Sequence, residues 1–203
     1  ALKNNIKNLW WKRFVDDQSD MYGFDAAILM NQNVWQASGH VGGFADPMVE
    51  CAKCHHRFRA DHLEDKNKCP DCGGTIGEEK QFNMMFKTSV GSVEDETSTS
   101  YLRPETAQGM FVNFKNIVDS FHPKLPFGMA QIGRAFRNEI APRDFIFRTR
   151  EFEQMEIEYF VRPDDWENRF EYFRQAIKTF FADLGLSSDK VKEVEIGDGD
   201  RAH

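Results

Sequence analysis

The sequence predicts an α+β fold in which an antiparallel sheet is flanked by helices and carries a small zinc-ribbon-like insertion. Three observations support this class. Segments 127–136 and 152–161 are long, apolar and aromatic, as expected for the two strands of a hairpin. A segment with helical periodicity follows them. Two close pairs of cysteines interrupt the first half of the chain and indicate a separate metal core.

Three segments have the apolar spacing of amphipathic helices. The first contains Leu2 and Phe14 and begins at residue 1 without a capping residue, so we expect the chain to start inside an element. The second covers 107–118. The third follows Pro163 and ends at Gly185, the expected C-cap. Its apolar positions, at steps of three or four, are Trp166, Phe170, Phe173, Ile177, Phe181 and Leu184.

The remaining segments are assigned by composition. We expect a strand at 25–34, a glycine-rich loop at 39–47, a strand at 81–90 and an acidic loop at 91–100. The loop at 140–149 is longer than a hairpin requires. Long loops between strands often carry function, so this loop is a candidate functional segment.

The composition excludes two function classes. Asp and Glu together number 33 and Lys and Arg 26, a net charge of −7, so a generally basic nucleic-acid-binding surface is excluded, although a local basic patch is not. The longest apolar run, 26–30, is too short to cross a bilayer, and no signal-peptide pattern opens the chain. We therefore expect a cytoplasmic protein without a membrane segment.

The cysteines follow the pattern C-x2-C-x14-C-x2-C and are Cys51, Cys54, Cys69 and Cys72. Each C-x2-C pair forms a tight knuckle, and two knuckles supply the four-sulfur tetrahedron that Zn²⁺ prefers. A site with four protein ligands has no open position, so we expect structural zinc. A site that no longer holds metal is the alternative. Neighbouring basic residues could contact RNA, but solvated lysines on a polar insertion explain them more simply.

The second hairpin strand has an unusual polar face. Alternation places Phe152, Gln154, Glu156 and Glu158 on one side, and Met155, Ile157, Tyr159 and Val161 on the other, the expected core face. Carboxylates on an outward face are ordinary. Nearby arginines and a phenyl ring instead suit a nucleotide, since the ring stacks on a base and guanidinium groups clamp phosphate. No P-loop or Rossmann motif is present, so arginines must bind the phosphates.

The hairpin sequences FRNE at 136–139 and RTREF at 148–152 resemble motif 2 of the class II aminoacyl-tRNA synthetases. Further motifs make the resemblance more specific. The segments ASGHVGGFADP (37–47), FRADH (58–62), FNMMF (82–86), YLRPETAQG (101–109) and 134–158 are similar to the homodimeric glycyl-tRNA synthetases. The similarity runs over residues 1–186, in the right order.

The resemblance implies ATP-dependent activation of glycine to glycyl-adenylate, followed by transfer to tRNA(Gly). Arg137 would contact the α-phosphate and the glycine carboxylate, and Glu139 would read the adenine edge, which makes these two the expected catalytic residues. Phe152 would stack on adenine. Glu105 and Glu156 would hold the glycine ammonium.

The resemblance implies larger sets of residues that bind ATP and glycine. The expected ATP residues are Arg137, Asn138, Glu139, Phe147, Arg148, Thr149, Arg150, Glu151 and Phe152. The expected glycine residues are Arg59, Glu105, Phe152, Glu153, Gln154, Met155 and Glu156. ATP would bind with Mg²⁺, and the four cysteines would hold structural Zn²⁺. A homodimer through motif 1 is implied, and the loop at 141–144 would face the tRNA acceptor end.

The resemblance also divides the chain. We expect catalytic core with motif 1 at 1–49, the zinc-binding insertion at 50–80, and catalytic core with motif 2 at 81–203. Motif 3 and the anticodon-binding domain are not found, and 31–33 stands where motif 1 usually has a proline. We therefore expect a catalytic-core fragment with little or no charging activity of its own.

Two other functions remain open from the sequence. One is a non-catalytic, zinc-bearing synthetase relative that uses the pocket for sensing or binding. The other is a zinc-ribbon nucleic-acid binder, against which the net charge of −7 counts.

Overall fold

The computed structural model describes residues 1–93, 95 and 98–197. The helices are α1 (Leu2–Trp11), α2 (Gln32–Ala37), α3 (His40–Gly43), α4 (Ala107–Phe121) and α5 (Trp166–Asp183). The strands are β1 (Met21–Gly23), β2 (Leu29–Asn31), β3 (Ala45–Glu50), β4 (Arg57–Arg59), β5 (Lys80–Asn83), β6 (Lys87–Ser89), β7 (Thr99–Leu102), β8 (Phe127–Phe136) and β9 (Glu151–Phe160). None of the described helices is both long and apolar enough to traverse a bilayer.

The strands form three sheets of three strands each, within the part of the chain that the structure describes. Their orders are β1-β8-β9, β2-β7-β6 and β4-β3-β5. Strand β7 pairs antiparallel with β2 and β6, and β3 pairs antiparallel with β4 and β5. The Arg137 N–H, just after β8, donates to the carbonyl of Arg150, just before β9, at 3.0 Å. The end of one long strand therefore meets the start of the other, as in a hairpin.

The chain divides into two compact units. The first comprises the described parts of Ala1–Tyr22, Pro123–Gly128 and Tyr159–His203, and the second comprises Gly23–His122 and Met129–Glu158. In the first unit, the Phe14 ring lies 5.8 Å from that of Phe180, edge to face, and Tyr159 lies 4.9 Å from Phe173. Aromatic packing of α1 and its continuation against α5 is the core of this unit.

The long elements agree with the sequence predictions. Strands β8 and β9 lie within one residue of the predicted segments, and α4 and α5 within three at each end. Gly185 has φ +82° and follows the last helical residues. Its N–H donates to Ala182, and that of Leu186 to Phe181, which is the hydrogen-bond pattern of a Schellman cap.

The short elements differ from the predictions, for local reasons. The predicted strand at 25–34 is a strand only over β2, because Asn31 caps α2 by accepting from the Asn33 N–H at 2.9 Å. The predicted loop at 39–47 holds α3 and the start of β3. The predicted strand at 81–90 is two strands, since the Asn83 side chain accepts from the Met85 N–H and turns the chain between them.

The predicted loop at 91–100 is shorter than expected, because β7 begins at Thr99. Residues 94, 96 and 97 of that loop lie outside the described residues, as does the charged end of the chain at 198–203. The cysteine-bearing segment has a small core of its own, in which the buried residues are Val49, Cys51, Ala60, Cys69 and Ile76.

Candidate active site and metal centre

Arg137 lies between two aromatic rings in the second unit. Its guanidinium carbon is 5.3 Å from the ring centroids of both Phe44 and Phe152. Its Nε donates to the carbonyl of Pro104 at 3.1 Å. Two cation–π contacts and one hydrogen bond hold this half-buried side chain in one orientation, which leaves its terminal nitrogens to bind an anion.

The turn that follows β7 is held in place by a buried arginine. Arg103 is 1 % exposed and donates to the carbonyls of Arg134 and Ala26, at 2.6 and 2.7 Å. Its own carbonyl accepts from the Phe136 N–H at 2.9 Å. These bonds attach the segment carrying Glu105 and Thr106 to the end of β8, next to Arg137.

Three carboxylates come together here, Glu105 from the turn itself and Glu156 and Glu158 from the polar face of β9. Thr106 is buried, its hydroxyl donates to Glu156, and its N–H donates to Gln154 at 3.1 Å. Burial, followed by the charges of Glu156 and Glu105, raises the pKa of Glu158 to about 7. We refer to Glu105, Glu156 and Glu158 as the acid cluster. Like charges this close favour a bound cation.

A chain of alternating charges lies along β3 and the long loop. Asp46 is buried and contacts Arg59 at 2.6 Å and Arg148 at 3.8 Å. Arg148 in turn contacts Glu139, which is 8 % exposed, at 2.8 Å. Burial raises the pKa of Asp46, against the lowering effect of Arg59. The order Arg59–Asp46–Arg148–Glu139 neutralises four groups that would each be costly to bury alone.

Most of the expected ATP residues are close together. Glu139 also accepts at its carbonyl from two nitrogens of Arg150, at 3.0 and 3.2 Å. The Asn138 N–H donates to Met84 at 2.7 Å, and the Thr149 hydroxyl donates to the carbonyl of Glu151 at 2.7 Å. The Arg150 bonds join the two ends of the long loop to each other, the Thr149 bond attaches the loop to the first residue of β9, and the Asn138 bond attaches it to the segment after β5.

Four of the predicted site residues lie elsewhere. Phe147 is 87 % exposed near the loop tip, and Glu151 pairs with Arg134 on the surface at 2.6 Å. Glu153 lines a different cleft, with Asp25 and Arg103. Met155 is 38 % exposed, so its prediction as a core residue is wrong: at this one position the side of β9 opposite the carboxylates is uncovered, while Ile157 on the same side is partly buried.

Four residues near the site were not predicted as site residues. His40, Phe44 and Asp46 come from the segment expected to be a loop, and Glu158 was assigned only to the polar face of its strand. The alternation of β9 is the one sequence signal for Glu158. The other three depend on β3 pairing with β5, which brings their segment next to the hairpin.

The four cysteines form a compact metal-binding geometry. Their sulfur atoms all lie within 4.8 Å of one another, with 3.5 Å between Cys51 and Cys72 and 3.7 Å between Cys54 and Cys69. Sulfurs in a zinc tetrahedron with ~2.3 Å bonds are about 3.8 Å apart, whereas a disulfide is about 2.05 Å long. The sulfurs therefore fit a metal ion and not a pair of disulfides.

The backbone around the knuckles prepares them for metal. A Cβ on Gly74 would lie 3.2 Å from the Cys51 sulfur and 3.3 Å from the Cys72 sulfur, so this position favours glycine. Backbone N–H groups, that of Cys54 first, lower the pKa of Cys51 to about 6. Against a backbone hydrogen bond from His56, burial and the neighbouring thiols raise the pKa of Cys54, as expected for thiols crowded together. Thiolate is the form that binds metal.

The chain is similar to known proteins both in sequence and in fold. A family model described as "tRNA synthetase class II core domain (G, H, P, S and T)" matches residues 86–202, more than half of the chain. The chain belongs to this family. The predicted fold class is confirmed by solved structures as well. The RNA-binding domain of threonyl-tRNA synthetase from Cryptosporidium parvum matches with a TM-score of 0.59 and 17 % identity, over 91 % of this chain and 35 % of that one.

Other matches lie within the class II synthetases. Prolyl-tRNA synthetase of Giardia lamblia, solved with prolyl-adenylate, has a TM-score of 0.59 and 16 % identity, over 90 % of this chain and 29 % of its own. By sequence, the glycine–tRNA ligase of Treponema denticola is 49 % identical over 100 % of this chain. That of Borreliella burgdorferi is 50 % identical over 94 %. The chain spans 46 % and 44 % of these two relatives, a little under half their length.

Proposed function

We propose that this chain supplies the adenylate-forming part of a glycine–tRNA ligase, which activates glycine with ATP and transfers it to tRNA(Gly). The observation that carries the proposal is that Arg137, held between Phe44 and Phe152, donates to the carbonyl of Pro104, the residue before Glu105 of the acid cluster. The identity of 49 % to a glycine–tRNA ligase supports the choice of amino acid.

Activation joins two anions, and Arg137 is suited to that task. A glycine carboxylate oxygen attacks the α-phosphorus of ATP, the new O–P bond forms, and pyrophosphate leaves with the electrons of the broken bond. Arg137 contacts both the carboxylate and the α-phosphate, so it reduces their repulsion and stabilises charge on the five-coordinate phosphorus. Mg²⁺ bound to the phosphates would supply further neutralisation.

The neighbouring residues bind the two substrates. Phe152 stacks on adenine, and Glu139, held by Arg148 and Arg150, accepts from its amino group. Glu105 and Glu156 bind the glycine ammonium. Transfer then requires a ribose hydroxyl of the terminal adenosine of tRNA to attack the glycyl carbonyl, with AMP as the leaving group.

Glycine has no side chain to recognise, so selectivity rests on exclusion. Attraction discriminates one methylene by only ~1–3 kcal/mol, whereas a clash with a closed wall can exceed this. We expect the buried Thr106, which is bonded to Gln154 and Glu156, to form part of that wall once the ammonium and carboxylate are held.

The proposed enzyme also has a metal site, a dimer interface and a contact with tRNA. Structural Zn²⁺ is held by the four cysteines of the 50–80 insertion, between catalytic core at 1–49 and at 81–203. The protein is a cytoplasmic homodimer that pairs through its motif 1 region, and the loop at 141–144 contacts the acceptor end of tRNA. Elemental analysis for zinc and sedimentation of the full-length enzyme test the metal and the dimer separately.

Glycine-dependent ATP–pyrophosphate exchange in the full-length enzyme tests the activity. We expect labelled ATP to form with glycine and at most about 1 % as fast with alanine. Binding of ATP and glycine without exchange would support the non-catalytic binding module instead. Exchange supported equally by alanine would contradict the assigned substrate.

A further inference from the structure

His40 occupies an enclosed position beside the acid cluster. It follows Gly39, whose φ of +81° turns the chain out of α2 and into α3. The side chain is 12 % exposed. Its ring lies 5.3 Å from that of Trp35, edge to face, and 5.4 Å from that of Phe44. An imidazole packed between two aromatic rings has little rotational freedom.

Both ring nitrogens of His40 face a polar partner. Nδ1 is 2.8 Å from the Ser38 hydroxyl, and Nε2 is 3.3 Å from Oε1 of Glu105. A carboxylate offers only lone pairs, so it favours the tautomer with hydrogen on Nε2. With hydrogen on Nε2, the Ser38 hydroxyl donates its single proton to Nδ1 at 2.8 Å in preference to the Trp35 carbonyl, which is 3.3 Å away. The ring is therefore oriented by its serine and directs an N–H edge at the carboxylate.

The backbone of this segment is also held. The Asn83 side chain donates to the carbonyls of His40 and Val41, at 3.3 and 2.8 Å. Its oxygen accepts from the Met85 N–H at 2.8 Å, at the end of β5. The same asparagine that separates β5 from β6 thus fixes the position of the histidine.

The two oxygens of Glu105 are in different situations. Oε1 receives both neighbours: the Gln108 amide at 3.3 Å and His40 at 3.3 Å. Oε2 has no such neighbour among the described residues, and the side chain is 25 % exposed. Two donors on one oxygen orient the carboxylate and leave the other oxygen available to a ligand.

We infer that His40 is a positioning residue for the amino group of the substrate, because its Nε2 holds Glu105 with Oε2 available to the ammonium. This inference rests on the proposed function. His40 touches no substrate in this arrangement and acts only through Glu105.

The test uses two replacements of His40 in the full-length enzyme. His40→Phe keeps a ring between Trp35 and Phe44 but removes the N–H, whereas His40→Gln keeps a donor near the position of Nε2. We expect H40F to raise the glycine KM about tenfold, with the ATP KM changed less than about twofold. H40Q should recover most of this loss. Equal changes in both KM values, or a recovery absent in H40Q, would overturn the inference.

A double-mutant cycle with Glu105→Gln separates this inference from the proposed function. The H40F/E105Q enzyme should be no worse than E105Q alone in glycine KM, since His40 acts through that carboxylate. The same cycle is measured on the unfolding equilibrium constant, where we expect a coupling of about threefold or more. Absence of glycine-dependent exchange in the wild-type enzyme would refute the proposed function. The double-mutant cycle on unfolding would still show whether His40 and Glu105 interact. Additive effects on unfolding would refute the His40–Glu105 contact.

Discussion

The four cysteines and the acid cluster both gather groups of like charge in a small volume, but the chain assembles them over different distances. The cysteines fall within 22 consecutive residues, whereas Glu105 and Glu156 are separated by 51 positions and lie on different elements. A cation would stabilise either cluster. We expect a resident metal in the first, and the ammonium of a substrate in the second.

The difference shows which sites sequence spacing can reveal. A C-x2-C knuckle forms within one turn of chain, so the spacing of the cysteines in the sequence already determines how their sulfurs are placed. The acid cluster requires the hairpin, the Arg103 anchor and the turn after β7 together. Only Glu156 and Glu158 share a strand spacing, and the fold alone brings Glu105 next to them.

Replacing a cysteine should have the largest effect on either cluster. Cys69 is 2 % exposed, and Cys69→Ser removes a thiolate from a closed site. We expect zinc content to fall from about one per chain to below about 0.1, because structural zinc binding is worth ~10–16 kcal/mol and depends on all four ligands. Proteolysis within 50–80 should increase in parallel.

The matched control for zinc content is His56→Ala. His56 is in the same segment and is paired with Asp71 at 2.6 Å, outside the sulfur tetrahedron. It should keep its zinc. Stoichiometric zinc in C69S would show that the four sulfurs are not the ligand set.

Neutralising one member of the acid cluster should have the next largest effect. Glu156→Gln keeps an oxygen that can accept from the Thr106 hydroxyl but removes the charge. We expect the glycine KM to rise about 10- to 100-fold, since a charged hydrogen bond is worth ~1.5–3 kcal/mol, with the ATP KM nearly unchanged. Glu171→Gln, on the exposed face of α5, is the matched control. A glycine KM unaffected in E156Q would remove that residue from the ammonium site.

Stability should report the burial of Glu158 and the like charges beside it, with the smallest effect. The pKa of Glu158 is raised to about 7 from its ordinary value of 4.5, so the folded state loses stability as pH rises from 4.5 through 7, while the unfolded chain ionises freely. Glu158→Gln should therefore raise the Tm at pH 8, by about 3 °C, and leave it unchanged at pH 4.5.

Glu171→Gln is the control for this Tm measurement, because the pKa of Glu171 is shifted in the opposite direction to that of Glu158. Hydrogen bonds from Gln175 and Arg174 lower the pKa of Glu171, so its replacement should give no gain at pH 8. A Tm increase in E158Q that is the same at pH 4.5 and pH 8 would show that the carboxylate is not held at a raised pKa.

Much of the fold could be predicted because its longest elements have strong periodic signals. Strands β8 and β9 and helix α5 depend on runs of ten or more residues, over which local exceptions average out. The short elements could not be predicted in the same way. Single side chains decide them: Asn31 starts α2, and Asn83 divides a strand in two.

The site could be predicted in part, for a related reason. Arg137, Phe152 and Glu156 lie on the hairpin, where alternation and the motif 2 resemblance both apply, and the structure brings them close to Glu105. His40 and Asp46 could not be predicted, because their segment was expected to be a loop. The raised pKa of Glu158 depends first on burial and then on Glu156 and Glu105, and it has no sequence signature.

Glycine-dependent ATP–pyrophosphate exchange in Arg137→Ala and Arg134→Ala variants of the full-length enzyme tests the central claim most directly. Arg134 lies three residues earlier, and its side chain is 62 % exposed and paired with Glu151 on the surface. We predict that R137A lowers kcat/KM by about 10³-fold or more, as expected for loss of a charge that stabilises the transition state, and that R134A stays within about threefold of the wild type. Exchange in R137A as fast as in R134A would contradict the account.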